Sequence, residues 1–123
     1  MKILEREQLV ERAARLGRRI GEGLQEALAD SPHVGDIRGI GMMWGVEFVR
    51  DRQTGTPFPR SARVTERLWQ ALYEQGVLLY KSVGMAGIDG DGLIVSPPFV
   101  ITEAEIDHVV DSLRMALRTV LND

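Results

Sequence analysis

Few residues of this 123-residue chain have side chains suited to covalent chemistry. Cysteine is absent, which excludes disulfides, thiolate metal sites and thiol nucleophiles. The two lysines are Lys2, near the terminus, and Lys81, and an amine is the group that forms a Schiff base with a carbonyl compound. A reactive amine needs burial beside apolar or cationic groups, and the glycine-rich segment after Lys81 offers little of either. The sequence therefore favours an exposed surface lysine at position 81.

The histidines, acids and serines lack the spacing of a metal or catalytic site. His33 is expected in a turn and His108 on the last helix, and neither has a nearby cluster of carboxylates with ligand spacing. Asp89 and Asp91 belong to an Asp-Gly-Asp-Gly segment, which is typical of a turn, with calcium binding as the less favoured alternative. No serine stands in a nucleophile-elbow context, and Ser61 is interpreted as a helix N-cap. We therefore predict no catalytic residue and no metal site.

The glycines near residue 40 do not have the spacing of a nucleotide-binding loop. After Gly39-Ile40-Gly41 the dinucleotide fingerprint requires a third glycine where this chain has Trp44. The order is also reversed, because these glycines precede a strand instead of following one. No Gly-Lys-Ser/Thr sequence is present, which excludes a P-loop. Asp36 and Arg38, two residues apart in this segment, are expected to form a local salt bridge or backbone hydrogen bonds.

Composition and charge narrow the class of protein. The formal net charge is −3 at pH 7 and no lysine- or arginine-rich block is present, so we expect no nucleic-acid partner. No apolar stretch approaches the ~20 residues of a membrane span, and the first residues lack the apolar core of a signal peptide. The length predicts a single domain over residues 1–123, and a cytoplasmic location is expected.

Hydrophobic periodicity predicts six elements in the order α-β-α-β-β-α. They are a helix over residues 4–29, a strand over Met42–Val49, a helix over Ser61–Gln75, short strands over Val77–Tyr80 and Leu93–Ser96, and a helix that begins after Thr102. Residues 81 to 92, with four glycines, are expected to form a loop or an open hairpin connection. The expected fold class is α+β, with a small sheet of about three strands and helices packed largely on one face.

Local signals mark the ends of these elements. Gly76 stands where a C-terminal helix cap belongs, and Thr102 with Glu105 forms a capping box. Glu47 is the one acid in an apolar strand and is expected on its solvated or partner-facing side. Glycines inside the first helix weaken it by roughly 1 kcal/mol each relative to alanine. Either close packing against a neighbour or simple tolerance explains these glycines, which are Gly17, Gly21 and Gly23.

The segment His33–Val49 carries the most specific signal of the chain. Its glycines predict a turn that runs into a strand, and allow positive φ or close backbone approach. It resembles, nearly residue for residue, the start of the small C-terminal domain of class III pyridoxal-phosphate (PLP) aminotransferases. The resemblance covers essentially the whole chain and is carried by Arg6–Ala13, Val34–Glu47, Gly76–Leu79 and Ser96–Asp107.

This resemblance implies the C-terminal part of a fold-type I transaminase, a homodimeric enzyme that moves an amino group between an amine or amino acid and a keto acid or aldehyde. In that family the large domain supplies the Schiff-base lysine, the aspartate at the pyridine nitrogen and the phosphate-binding groups. Neither lysine of this chain matches the motif that holds PLP. The resemblance therefore implies that the chain alone binds no PLP and is catalytically silent, with the large PLP-binding domain as its partner in a homo-oligomer.

Many members of that family clamp a substrate carboxylate with an arginine in the loop after the second strand. This chain has no arginine between Arg67 and Arg114. Lys81 lies near that place and is the candidate substrate-binding residue, although an ammonium does not replace the two-pronged guanidinium. Either the parent enzyme uses carboxylate-free amines or the clamp comes from elsewhere. The alternatives are a free-standing interaction or dimerisation module on the same fold, and a small-molecule-binding domain with residues 81 to 92 as a lid.

Overall fold

The computed structural model describes residues 8–86, 88–98 and 101–121. The helices are α1 (Leu9–Leu28), α2 (Val64–Glu74) and α3 (Glu103–Leu121), and the strands are β1 (Val34–Ile40), β2 (Met43–Phe48), β3 (Tyr80–Ala86) and β4 (Asp89–Val95). A 3-10 turn over Arg60–Ala62 precedes α2. The expected α+β class is confirmed. In the described ranges, no helix is both long enough and apolar enough to cross a bilayer.

The strands form one antiparallel sheet of four in the order β1-β2-β4-β3. Two hairpins, β1–β2 and β3–β4, meet along the pairing of β2 with β4, and α2 connects them in the chain. The sheet has one strand more than the three expected, because residues 34–40 pair with β2 where the sequence predicted a turn. The turn itself is confined to Gly41 and Met42, with a φ of +56° at Gly41.

The indole ring of Trp44 explains one of the two glycines that obscure β1 in the sequence, Gly39. A Cβ on Gly39 of β1, or on Gly21 of α1, would lie less than 3.0 Å from the indole ring of Trp44. The ring fills the space between them, and its Nε1 donates a hydrogen bond of 3.0 Å to the carbonyl of Gly41. Residues that favour strands are replaced here by glycine because an aromatic side chain from β2 needs the room.

Helix α1 contains glycines of two kinds. At Gly17 an added Cβ would lie less than 3.0 Å from the carbonyl oxygen of Gly41, so helix and β1–β2 turn touch backbone to backbone. At Gly23 an added Cβ would lie 3.4 Å from a methyl group of Val110, which is an ordinary contact distance. Of the two explanations left open by the sequence, close packing holds for Gly17 and Gly21, and tolerance for Gly23.

The hydrophobic core lies between the helices and one face of the sheet. All three helices and the central strands contribute side chains with no exposed surface: Leu24, Phe48, Leu68, Leu72, Leu93 and Leu113. Burial of a leucine or phenylalanine side chain contributes about 1.5–3 kcal/mol relative to leaving it in water. The face of the sheet that packs against the helices is called the covered face, and it is formed by Trp44, Val46, Phe48, Leu93 and Val95.

The end of α2 confirms the predicted cap and corrects the strand that follows. The N–H groups of Gly76 and Val77 donate to carbonyls of the last turn, each at 2.9 Å, and Gly76 has a φ of +78°. The next strand begins at Tyr80, not at the predicted Val77. Val77 is occupied in closing the helix, and the carbonyl of Leu79 accepts a hydrogen bond of 2.9 Å from Trp69 Nε1.

Of the two predicted helix N-caps, the one at the start of α3 is confirmed and the one at the start of α2 is wrong. The capping box is confirmed, since the N–H of Thr102 donates to Glu105 Oε1 at 3.0 Å and the N–H of Glu105 donates to Thr102 Oγ1 at 3.1 Å. The N-cap predicted at Ser61 is wrong, because Ser61 lies in the 3-10 turn. The N-cap of α2 is Arg63, which has a φ of +52° and no side-chain cap of its own.

Residues 81 to 92 are mostly strand. Of the two alternatives, the hairpin is right, and its pairing runs from Tyr80 with Ile94 to Ala86 with Asp89. The last predicted strand therefore begins at Asp89 instead of Leu93. Glycine content obscured these strands because positive-φ glycines, Gly84 and Gly90, lie within them near the hairpin end.

Candidate functional site

The second face of the sheet carries exposed side chains. Directly paired residues of neighbouring strands point to the same side, and successive residues alternate. On the side away from the helices, Ile40 is 84% exposed, Tyr80 66% and Met43 56%. We call this the open face, formed by Asp36, Arg38, Ile40, Met43, Gly45, Glu47, Tyr80, Ser82, Gly92 and Ile94.

The centre of the open face is a shallow groove of about 230 Å³. Gly45 of β2 and Gly92 of β4 line it, with Ile40 and Ile94 beside them. A Cβ on Gly45 would meet only the carbonyl oxygen of Arg38, at 3.8 Å. Glycine leaves free space here, and close approach of another backbone or a ligand is one of the reasons for a glycine inside a strand.

One end of the groove is charged. Arg38 Nη1 lies 2.5 Å from Asp36 Oδ2 and 3.7 Å from Glu47 Oε2. The predicted salt bridge between Asp36 and Arg38 is thus confirmed, although on a strand and not in a turn. Such exposed pairs stabilise a fold by about 0–1 kcal/mol. Their effect is to give an otherwise apolar groove one polar end with both signs of charge.

Lys81 lies on β3 but on the side opposite the open face, since it pairs with Leu93 of the covered face. Its Nζ is 4.7 Å from the ring centroid of Trp69, and that ring stacks on Tyr73 with a centroid separation of 5.4 Å. The side chain is exposed, as the sequence favours. A cation–π contact at an exposed site stabilises by about 0.5–1 kcal/mol. The binding of a substrate carboxylate by Lys81 stays a prediction.

A buried polar cluster joins α2 to β4. Asp91 has no exposed surface, and its Oδ1 accepts hydrogen bonds from Thr65 N at 2.9 Å, Thr65 Oγ1 at 2.6 Å and Arg60 Nη1 at 3.0 Å. Thr65 Oγ1 in turn accepts the N–H of Gly92 at 3.1 Å. The guanidinium of Arg60 also pairs with Glu66. These contacts link residues up to 31 positions apart, so no local sequence pattern could have predicted them.

The same cluster sets the protonation of Glu66. Burial alone would raise the pKa of its carboxyl, but a hydrogen bond with its own backbone and the neighbouring Arg60 and Arg63 hold the pKa below the ordinary 4.5. At the start of α3, the hydrogen bonds from Thr102 lower the pKa of Glu105 below the same value. Both carboxylates are therefore held in the charged form.

The described residues do not combine the groups that a PLP site needs. Such a site brings together a lysine amine and a carboxylate for the pyridine nitrogen. Lys81 is the lysine within the described ranges, and its amine faces Trp69. Asp91 is held by Thr65 and Arg60 on another part of the covered face. Across the same ranges, no group of three or more His, Cys, Asp or Glu side chains could hold a metal ion.

Comparison with known proteins assigns the fold to a family. The family model described as aminotransferase class-III matches residues 1–117. An uncharacterized aminotransferase from Schizosaccharomyces pombe is 40% identical over 112 residues, covering 90% of this chain and 24% of that protein. The taurine–pyruvate aminotransferase of Bilophila wadsworthia is 35% identical over 120 residues, covering 98% of this chain and 26% of that protein.

Solved structures agree with the sequence relatives. A Bacillus anthracis aminotransferase superposes with a TM-score of 0.84 at 35% identity, over 96% of this chain and 26% of that one. This chain thus spans about a quarter of the length of the relatives that it matches. It belongs to the class III aminotransferase family.

Proposed function

We propose that this chain is the C-terminal small domain of a class III aminotransferase and that it works in contact with a large PLP-binding domain. The amino-group transfer between an amine or amino acid and a keto acid or aldehyde then belongs to the whole enzyme. Residues 1–123 act as one domain in this proposal. The family membership and the quarter-length match to its relatives support it.

The observation that carries the proposal is the open face. Ile40, Met43 and Tyr80 are more than half exposed on a sheet whose other face is closed by helices. Contiguous exposed apolar surface is characteristic of a place where another protein surface binds. A second apolar groove, of about 510 Å³, lies beside β3 between Leu78 and Ala104, and Leu78 is 70% exposed. The docking surface proposed for the large domain therefore extends from the open face around the start of β3.

The cofactor belongs to the partner in this proposal. Class III aminotransferases depend on PLP in general, and the residues described above do not combine the groups that hold it. The homo-oligomer implied by the resemblance is likewise proposed for the whole enzyme. A cytoplasmic location stays a prediction of the sequence.

The test of this proposal uses the purified chain and PLP. After incubation with PLP and reduction with borohydride, mass spectrometry should find no stoichiometric adduct on Lys81 or Lys2, and the chain should not turn over an amine with pyruvate. The variant Lys81→Ala should behave as the unsubstituted chain does. A stoichiometric adduct on Lys81, together with turnover that Lys81→Ala abolishes, would contradict the proposal.

A free-standing dimerisation module is the second candidate, favoured by the same exposed apolar residues. Four strands about 4.8 Å apart, each with about six paired residues at 3.3 Å, present roughly 400 Å² per face. A stable interface buries about 800 Å² of accessible surface on each partner, about twice this flat area, which argues against a tight pair through the open face alone. Sedimentation velocity should therefore show a monomer. A dimer that Gly45→Leu dissociates would favour the module instead.

A further inference from the structure

We propose that Asp91 is a latch that caps helix α2 from strand β4 and thereby holds the β3–β4 hairpin in place before any partner docks. The latch consists of Asp91, Thr65 and Arg60. The latch itself is a property of the isolated chain, and only its effect on docking rests on the function proposed above.

Helix α2 begins without a cap from its own sequence. The first N–H groups of a helix have no partner within the helix, and a side chain at the N-cap normally accepts one of them at the second or third position. The N-cap here is Arg63, which makes no such hydrogen bond. Asp91 Oδ1 accepts the N–H of Thr65, the second residue of α2, from 26 positions away in the chain. The carboxylate thus does the work of an N-cap and also places negative charge at the positive end of the helix dipole.

The contact works in both directions. Thr65 donates its hydroxyl hydrogen to Asp91 Oδ1 and accepts the N–H of Gly92 on the same oxygen, so the helix also holds the strand. Arg60 adds three further links: its backbone N–H donates to Asp89 Oδ1 at 2.9 Å, and its Nη1 donates to Asp91 Oδ1 at 3.0 Å and to the carbonyl of Gly90 at 3.4 Å. The first four residues of β4 are therefore hydrogen-bonded to the start of α2 and to the 3-10 turn before it.

Because Asp91 is buried, loss of the hydrogen bonds to its carboxylate should destabilise the fold. A carboxylate without exposed surface needs hydrogen bonds and a counter-charge, and among the described residues Oδ2 has no partner. Within the described part of the chain, the carboxylate accepts its hydrogen bonds through Oδ1. Removal of Thr65 or Arg60 from that oxygen would leave a buried charge that is only partly compensated.

The latch lies behind the open face. Gly92 lines the groove, and Ser82, which pairs with Gly92, lines it from β3. With β4 held by α2, this half of the groove keeps its shape in the absence of a partner. A preformed docking surface binds with a smaller entropic cost than one that is ordered on contact.

Hydrogen–deuterium exchange of the complete chain tests the latch, with Asp91→Ala as the first variant. Amides of residues 80–95 and of the first turn of α2 should exchange about 10- to 100-fold faster, because buried hydrogen-bond partners are lost. Amides in the middle of α1 and α3 should change much less. The control is Asp111→Asn on the exposed side of α3, where Asp111 pairs with Arg114 at 3.6 Å, and it should leave all of these rates unchanged.

Thr65→Val keeps the test decisive if Asp91→Ala fails to fold. Valine keeps the branched shape of threonine but removes the hydroxyl, which leaves Gly92 N–H without its acceptor and Asp91 with one donor fewer. The same two segments should again exchange faster, by about tenfold. Exchange in Thr65→Val that matches the control, or that accelerates equally in α1, α3 and the hairpin, would overturn the latch. Neither result depends on whether the chain binds PLP.

Discussion

The covered face and the open face use glycine for opposite purposes. On the covered side, Gly21 and Gly39 have no room for a Cβ because the indole of Trp44 fills the space between helix and strand. On the open side, Gly45 has free space above it and nothing of the described chain fills that space. Glycine therefore makes room for a side chain of this chain on the covered face and leaves open space on the open face.

The covered face is expected to determine the stability of the chain, and the open face is expected to determine what binds to it. The side chains with no exposed surface point to the covered face, so the free energy of folding comes from that side. Substitutions there should unfold the isolated chain. Substitutions on the open face should leave the isolated chain folded and affect what binds to it.

The largest difference is expected between a leucine on one face and an isoleucine on the other. Leu93 has no exposed surface, and Leu93→Ala should reduce the free energy of unfolding by about 2–5 kcal/mol, since it removes packed methyl groups and leaves a cavity. Ile40 is 84% exposed, and Ile40→Ala should change the free energy of unfolding by no more than about 0.5 kcal/mol. Urea unfolding of both variants measures the comparison. Equal costs would mean that the open face also carries the fold.

Two glycines on α1 test whether close backbone packing is the reason for a glycine inside the helix. Gly17→Ala should lower the free energy of unfolding of the chain by about 1–3 kcal/mol, because the added methyl group meets the backbone of Gly41. This cost should exceed the gain from the better helix propensity of alanine. Gly23→Ala should instead stabilise by up to about 1 kcal/mol, because its methyl group has room beside Val110. Thermal unfolding of the pair gives the sign of each change. A stabilised Gly17→Ala would contradict the backbone contact.

A smaller effect is expected at the capping box of α3. Thr102→Ala removes the oxygen that accepts the N–H of Glu105 and should cost about 1 kcal/mol. The control is Thr119→Ala, an exposed threonine in the last turn of the same helix, which should be neutral or slightly stabilising. Urea unfolding separates the two. A cost at Thr119 equal to that at Thr102 would mean that capping is not the cause.

The smallest effect concerns pH. The pKa values of Glu66 and Glu105 are lowered in the folded chain from the ordinary 4.5, so their contribution to stability is present above that value. It is lost as the pH falls through the lowered folded values, because the carboxylates become protonated. Glu66→Gln should therefore flatten the decline of the melting temperature below pH 4.5. An unchanged decline in this variant would show that the Arg60–Glu66 contact does not contribute.

Contacts between close neighbours in the sequence were predictable, and contacts between distant ones were not. Thr102 and Glu105 are three residues apart on one helical turn, so the residue types alone predicted their hydrogen bonds. Asp91 and Thr65 are 26 residues apart, and nothing at either position indicates the other. An Asp-Gly-Asp-Gly segment is typical of a turn, and only the fold shows that the second aspartate is buried.

Strand β1 shows a second limit of the sequence. Its glycines predicted a turn because the side chains that need their space, Val49 beside Gly35 and Trp44 beside Gly39, lie further along the chain. The alternation of polar residues at Asp36 and Arg38 was the signal for a strand with one exposed face. That alternation also marks the open face, which the helices leave uncovered.

We propose that the open face is where this domain meets the cofactor-binding part of an aminotransferase. The most direct test replaces the matching quarter of the Bilophila wadsworthia taurine–pyruvate aminotransferase with this chain. The chimera is assayed with taurine and pyruvate, alongside versions that carry Gly45→Leu, which fills the open-face groove, or Gly23→Ala as the matched control.

We expect the chimera and its Gly23→Ala version to be active with PLP. Gly45→Leu should abolish activity, while the isolated Gly45→Leu chain should unfold at the same urea concentration as the unsubstituted chain. An inactive unsubstituted chimera, or a Gly45→Leu chimera as active as the Gly23→Ala control, would contradict docking at the open face.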